Sequence, residues 1–239
     1  MASSATDVDI FKFGTTKLIA ALPDEIDDET ATFTIRYLLN AVGTSAEKLE
    51  ILVDGIYDHV TPQRNTTAMT GLMFRLLQLV STDIAAVDSS PKRETSRRGE
   101  GLVRSRLLHR CQEEFEQSVS SQLWDYRPFE VLLELWQQKA APEDIFFVPE
   151  VTLLCILIDA SRAKHLFESQ NFEIFARMVT TFGSKLDQSS AVGTGVASML
   201  DAVAVRASSG SLVHQLLAAG LIHMRNNDYR ITVNTQKTL

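Results

Sequence analysis

From about residue 30 onward, apolar residues recur at intervals of three and four, the spacing that lines one face of an α-helix. Residues 30–42 read as a helix with Phe33, Tyr37 and Leu38 on one face, ended by Gly43 as a C-terminal cap. Ser45 offers an N-cap to the next, striped by Leu49, Leu52, Val53, Ile56, Tyr57 and Val60. Thr61-Pro62 supplies a cap and a first-turn proline for a third, with Met69, Leu72, Met73, Leu76, Leu77 and Val80 inward. Two stripes of equal spacing joined by a short turn predict an antiparallel hairpin, because neither helix buries its stripe alone.

The pattern breaks between Ser89 and Gly101, a basic stretch rich in Ser and Gly that reads as a mobile loop. A helix resumes near Leu102 and runs to about Val119, with Leu107, Leu108, Cys111 and Phe115 inward and Arg110, Glu113, Glu114 and Glu116 outward. Pro128 opens another, carrying Phe129, Leu132, Leu133 and Trp136. Pro149 opens one that is apolar nearly all round from Val151 to Ile158, as the buried centre of a stack would be. A helix starting at Asn171 points Phe172, Phe175, Ala176, Val179 and Phe182 inward and ends at Gly183 in a left-handed cap. Two more, over 192–207 and 211–224, are divided by Ser208-Ser209-Gly210.

No alternating strand pattern backed by hairpin turns occurs. The sequence therefore predicts an all-α fold, an α-solenoid of HEAT-like antiparallel helix pairs with about nine or ten helices. Residues 1–28 read as a polar lead-in whose acidic cluster, Asp24, Glu25, Asp27, Asp28 and Glu29, suits a solvated surface or a helix N-terminus. Residues 29–225 form the helical-repeat domain, with the flexible basic loop at 89–101, and 226–239 a polar tail in which Tyr229 and Ile231 are able to pack back.

Composition narrows the function classes. The chain has 239 residues, 45% hydrophobic and 22% charged, within the range of folded globular proteins. Its longest apolar stretch, Leu153 to Ile158, is too short to span a bilayer, and Met1 to Asp9 lacks the features of a signal peptide. Two cysteines, Cys111 and Cys155, make no disulfide framework, and the expected compartment is the cytosol or the nucleus. The five histidines are scattered, without metal-ligand spacing to one another or to either cysteine. Gly193-Thr194-Gly195 lacks the lysine and the strand of a phosphate loop, and no nucleophile elbow exists. The expectation is a protein with no catalytic residues, metal or cofactor.

Binding chemistry is better represented. Lys92, Arg93, Arg97, Arg98, Arg104, Arg106 and Arg110 concentrate positive charge in one loop and the helix it enters, a pattern that phosphate contacts use. The same residues also suit a solvated loop followed by a helix whose arginines pair with Glu113 and Glu114, and a net charge of −7 weakens attraction to RNA. Trp124 and Tyr126 are candidate anchors for a protein partner, whereas Trp136 suits the core.

Three segments carry a resemblance. Leu107-Leu108-His109-Arg110-Cys111-Gln112-Glu113-Glu114-Phe115-Glu116 resembles a segment of the middle domain of eukaryotic translation initiation factor 4G. There a leucine pair precedes an arginine, a cysteine, a glutamine and an acidic-acidic-Phe ending. Phe129 to Trp136 is similar to that family's Phe, Glu-Leu-Phe helix, and Ala176 to Asp187 resembles its helix end, where a threonine pair precedes Gly. All three fall in the family's order, over about residues 30–187. Leu107, Leu108, Cys111, Phe115, Phe129, Trp136, Phe182 and Gly183 are the motif's packing residues, so the resemblance marks the core and leaves the binding surface unplaced. It implies a crescent of helix pairs that docks a DEAD-box RNA helicase, translation factors or RNA in mRNA translation or decay. Direct RNA binding through Lys92–Arg110, a helical adaptor unconnected with translation, and homodimerisation through a helix face remain open.

Overall fold

In a computed structural model the described residues are 6–59, 66–85, 98–120, 130, 131, 133–135, 167, 169–188, 193–227 and 229. They are all-helical, with no strand among them and one isolated antiparallel bridge, Ala85 with Arg98. The chain packs as two compact units, Met1–Gln117 with Glu130–Pro142, and Ser118–Phe129 with Glu143–Leu239. The Thr61-Pro62 start, Val60 and the apolar run Val151 to Ile158 lie outside the described residues.

The first unit begins earlier than its hydrophobic pattern predicts. Half of the stretch read as a polar lead-in is a helix, α1 (Asp7–Ala20). A reciprocal cap starts it: the Thr6 hydroxyl accepts from the Asp9 N–H at 3.2 Å, and the Asp9 carboxylate accepts from the Thr6 N–H at 3.0 Å. Ile19 and Thr15 are its buried residues, too few for a stripe to announce the helix. α2 (Asp28–Val42) opens on Asp27, whose carboxylate accepts from the Thr30 N–H at 2.7 Å and is held below its usual pKa by that bond. The acidic cluster thus marks a helix N-terminus, where the dipole favours negative charge. α2 closes at Gly43, whose φ of +60° is a conformation that favours glycine.

The buried face of α2 is Ala31, Thr34, Ile35, Leu38 and Val42, whereas Phe33 and Tyr37 stand 73% and 58% exposed. The expected Phe33–Tyr37–Leu38 face is therefore corrected to one rotated toward Ile35. Ile35 and Leu38 are three apart and Phe33 and Tyr37 four apart, so either pair satisfies the three–four spacing.

α3 (Ala46–Asp58), capped by Ser45, buries Leu49, Leu52, Val53, Ile56 and Tyr57 as its stripe predicts. It runs parallel to α1: Lys48 pairs with Asp7 at 2.6 Å near both starts, and Thr15 and Ile19 close over Gly55 further along. α4 (Thr66–Leu79) buries Leu72, Met73, Leu76 and Leu77 and packs on α2 and α3. The chain then returns through Gly99, whose N–H donates to the Ile84 carbonyl at 2.8 Å. Gly99 has φ +44°, and the Ser81 carbonyl occupies the place of any Cβ there, so only glycine suits the position. From it springs α5 (Glu100–Ser120), with Leu102, Val103, Leu107 and Cys111 buried and Leu108 half-buried. Residues 130, 131 and 133–135 are helical, and Val131, Leu133 and Leu135 are buried.

The second unit holds α6 (Ser169–Gln188), α7 (Gly193–Ser208) and α8 (Leu212–Asn226). Phe172, Phe175, Val179 and Phe182 of α6 are buried as predicted, and Ala176 is half-buried. Met199, Leu200, Val203 and Ala207 of α7 meet Ala218 and Leu221 of α8 across a turn that Ser211 caps.

Gly183 is not a helix end: α6 runs through it for another turn. A Cβ at this position would overlap the ring of Tyr229 and lie 2.9 Å from its Cδ1. The glycine is thus a seat for an aromatic ring. The sequence reading assigned it a backbone role because a helix cap and a packing seat both call for glycine.

Candidate interaction surfaces

The basic cluster is the sharpest sequence-derived candidate, and its helical half is engaged inside the protein. Arg106 grips Asp54 with a two-pronged bond, Nε to Oδ1 at 2.8 Å and Nη2 to Oδ2 at 2.6 Å. Arg110, one turn on, pairs with Asp58, lies 3.7 Å from Asp54 and 3.8 Å from Glu113, and covers the Tyr57 ring at 5.4 Å. Arg104 pairs with Glu100 of its own helix. The Asp54 bond raises the Arg106 pKa; burial works against the Arg110 charge, but Asp58 and Asp54 outweigh it. One of the two sequence readings paired the helix arginines with Glu113 and Glu114, and Arg110 does reach Glu113; Arg106 and Arg110 in addition tie α5 to α3. Arg98 sits in the bridge at the foot of α5 and has a further interaction of its own. Lys92, Arg93 and Arg97 lie outside the described residues.

Beneath these pairs lies a second polar contact. The Tyr57 hydroxyl donates to Glu114 at 2.6 Å, and Tyr57 is buried beside Cys111. Burial first, then the neighbouring Cys111 and Glu114, raise the pKa of Tyr57, and burial pushes the Cys111 thiol up to about 12. A thiol so protonated is a poor nucleophile and metal ligand. Among the described residues no group of His, Cys, Asp and Glu is placed to hold a metal ion.

Exposed apolar side chains form two other surfaces. In the first unit Phe33 and Tyr37 stand one turn apart on α2, and Ile10 and Phe13 are exposed on α1. In the second unit Leu212, Val213 and Leu216 of α8 are 69%, 61% and 64% exposed, with Leu217 beside them. Between α6 and α8 lies an apolar hollow of about 500 Å³, lined by Phe167, Phe172, Ala176, Val213 and Leu217. His214 stacks on Phe167 at 4.6 Å, and Phe167 on Phe172 at 5.4 Å.

Trp124, Tyr126, Phe129 and Trp136, and the side chain of Phe115, lie outside the described residues. Sequence reasoning missed both apolar surfaces. The second had a signal: no Asp, Glu, Lys or Arg occurs from Ala207 to Met224, although a helix packed by one face normally carries charge on the other. No helix among the described residues is long and apolar enough to cross a membrane. No known family model, curated protein or solved structure matches the chain.

Proposed function

We propose that the chain is a non-catalytic helical scaffold, a relative of the initiation factor 4G middle domain built from HEAT-type helix pairs. On this reading it docks a DEAD-box RNA helicase or translation factors, in the cytosol or nucleus, during mRNA translation or decay. The three sequence segments motivate the family. The first unit adds support: helices two apart in the chain lie side by side, α1 on α3 and α2 on α4, while α3 also packs on α2 and α4. A stack of helix pairs produces this pattern. The mechanism is positioning, in which a fixed surface raises the effective concentration of one partner near another.

The exposed Phe33–Tyr37 pair on α2 is the observation that most favours a protein partner. Aromatic side chains contribute large contact areas at little entropic cost and dominate protein interfaces. The rival RNA reading loses support because Arg104, Arg106 and Arg110 already have carboxylate partners. Affinity purification of the full chain from cells, with and without ribonuclease, tests the proposal. A helicase or translation factor retained after ribonuclease, and lost in the Phe33→Ala/Tyr37→Ala double variant, is the expected result. Recovery of neither class of protein, or their loss on ribonuclease treatment, would sink it.

A further inference from the structure

α8 buries only Ala218 and Leu221, and its outer face carries Leu212, Val213, Leu216 and Leu217 where a helix packed by one face ordinarily turns a polar face to water. That face has two parts. Leu212 and Leu216, one turn apart, form a ridge; the residues following each of them, Val213 and Leu217, line the near wall of the 500 Å³ hollow whose far side is Phe167, Phe172 and Ala176. Ridge and hollow are therefore adjacent on one surface. Glu173 and Arg177, one turn apart on α6, place both signs of charge around the hollow.

We infer that this face pairs with the same face of a second copy of the chain, α8 running antiparallel to its counterpart. A two-fold interface requires one surface to carry both a knob and its hole, and both members of any charge pair. Here the ridge of each copy enters the hollow of the other, and Glu173 of one copy approaches the Arg177 side of its partner. Each chain carries a formal charge of −7, yet Ala207 to Met224 has no acidic or basic residue, so the copies meet where like charges do not oppose them. Exposed Ala219 and Gly220, with open space above Gly220, let the helices approach closely beyond the ridge. Antiparallel helices also set opposite dipole ends side by side. One helix face and the hollow beside it make a small interface, so the pairing is a reversible equilibrium.

Sedimentation equilibrium of the full chain across the micromolar range tests this pairing independently of the proposed function. The wild type should rise from 26.6 kDa toward twice that mass with concentration. Leu216→Glu and Leu216→Lys chains should each stay at the lower mass. Phe33→Glu, on the other unit, should behave as wild type. A wild type at 26.6 kDa throughout, or a Leu216→Glu or Leu216→Lys chain that dimerises normally, overturns the pairing. Helical circular dichroism confirms each variant's fold, and Leu212→Ser replaces any that loses it, with the same monomeric result expected and a wild-type rise counting against the pairing.

Discussion

Replacing Gly183 by Ala should destabilise the protein, although alanine is the better helix former at an interior position by about 0.8–1.0 kcal/mol. The opposing effect comes from Tyr229. A Cβ at 183 overlaps its ring, and restoring ordinary carbon–carbon separation demands a shift of about 1 Å or more. The ring cannot shift that far and keep its hydroxyl on Asp187, which it reaches at 3.1 Å. That bond, to a carboxylate, contributes about 2 kcal/mol at a half-buried site, and the partly covered ring about another 1. The φ of +57° at Tyr229 gives back about 1 kcal/mol when the residue leaves. Losing the contact thus costs about 2 kcal/mol net, the alanine returns about 1, and Gly183→Ala is destabilising by about 1. In a Tyr229→Ala background the same substitution meets no ring and should stabilise by about 1 kcal/mol, a coupling of about 2. Urea unfolding of the four proteins, with free energies from midpoint and slope, measures it. Equal effects of Gly183→Ala in both backgrounds would refute the reasoning, whatever their sign.

Two further outcomes follow from the α3–α5 contacts. A double-mutant cycle on Arg106→Ala and Asp54→Ala should give a coupling of about 1–2 kcal/mol, above that of an exposed pair because the bond is two-pronged and half-buried; a coupling near zero would contradict it. Stability should also fall above about pH 9–10, where the thiol and phenol of the unfolded chain lose protons that buried Cys111 and Tyr57 retain. Their raised native pKa values make this stability complete below the unfolded values and lost as pH climbs through the native ones. Tyr57→Phe removes one such proton, so between pH 10 and 11 its free energy of unfolding should fall less steeply than wild type by about 1 kcal/mol per pH unit; identical slopes would count against a buried, protonated Tyr57.

Where periodicity was strong, the sequence specified the element and its inner face, as at Leu49–Tyr57 and Phe172–Phe182. It specified caps as well, because Ser45 and Gly43 act on their own neighbouring backbone groups. α1 was illegible for the opposite reason. Its two buried residues, Thr15 and Ile19, gain their meaning from Gly55 on another helix, and its capping box lies in a stretch dominated by polar residues. Phe33 and Tyr37 misled because size and apolarity argue for burial, yet a folded surface always retains apolar atoms, and helical spacing alone admits more than one face. The partner of Gly183 lies 46 residues away, beyond any local pattern.

The arginines give the sharper lesson, because their local spacing suits phosphate contacts and carboxylate contacts equally. What decides is a second pattern on another helix. Asp54 and Asp58 are four apart, as are Arg106 and Arg110, and the pairs Asp54–Arg106 and Asp58–Arg110 are both separated by 52 residues. A constant separation means that α3 and α5 run in the same direction with their exposed edges in register, so the two ion pairs are rungs of one ladder. Slipping α5 by one turn would bring Arg106 to Asp58 and leave Asp54 without its two-pronged partner. The pairs therefore contribute more to fixing register than their modest individual energies suggest. Two same-spaced pairs of opposite charge on separate helices are visible in the sequence once the helices are drawn. Matching such pairs before assigning a basic helix to nucleic acid would have placed Arg106 and Arg110 inside the fold.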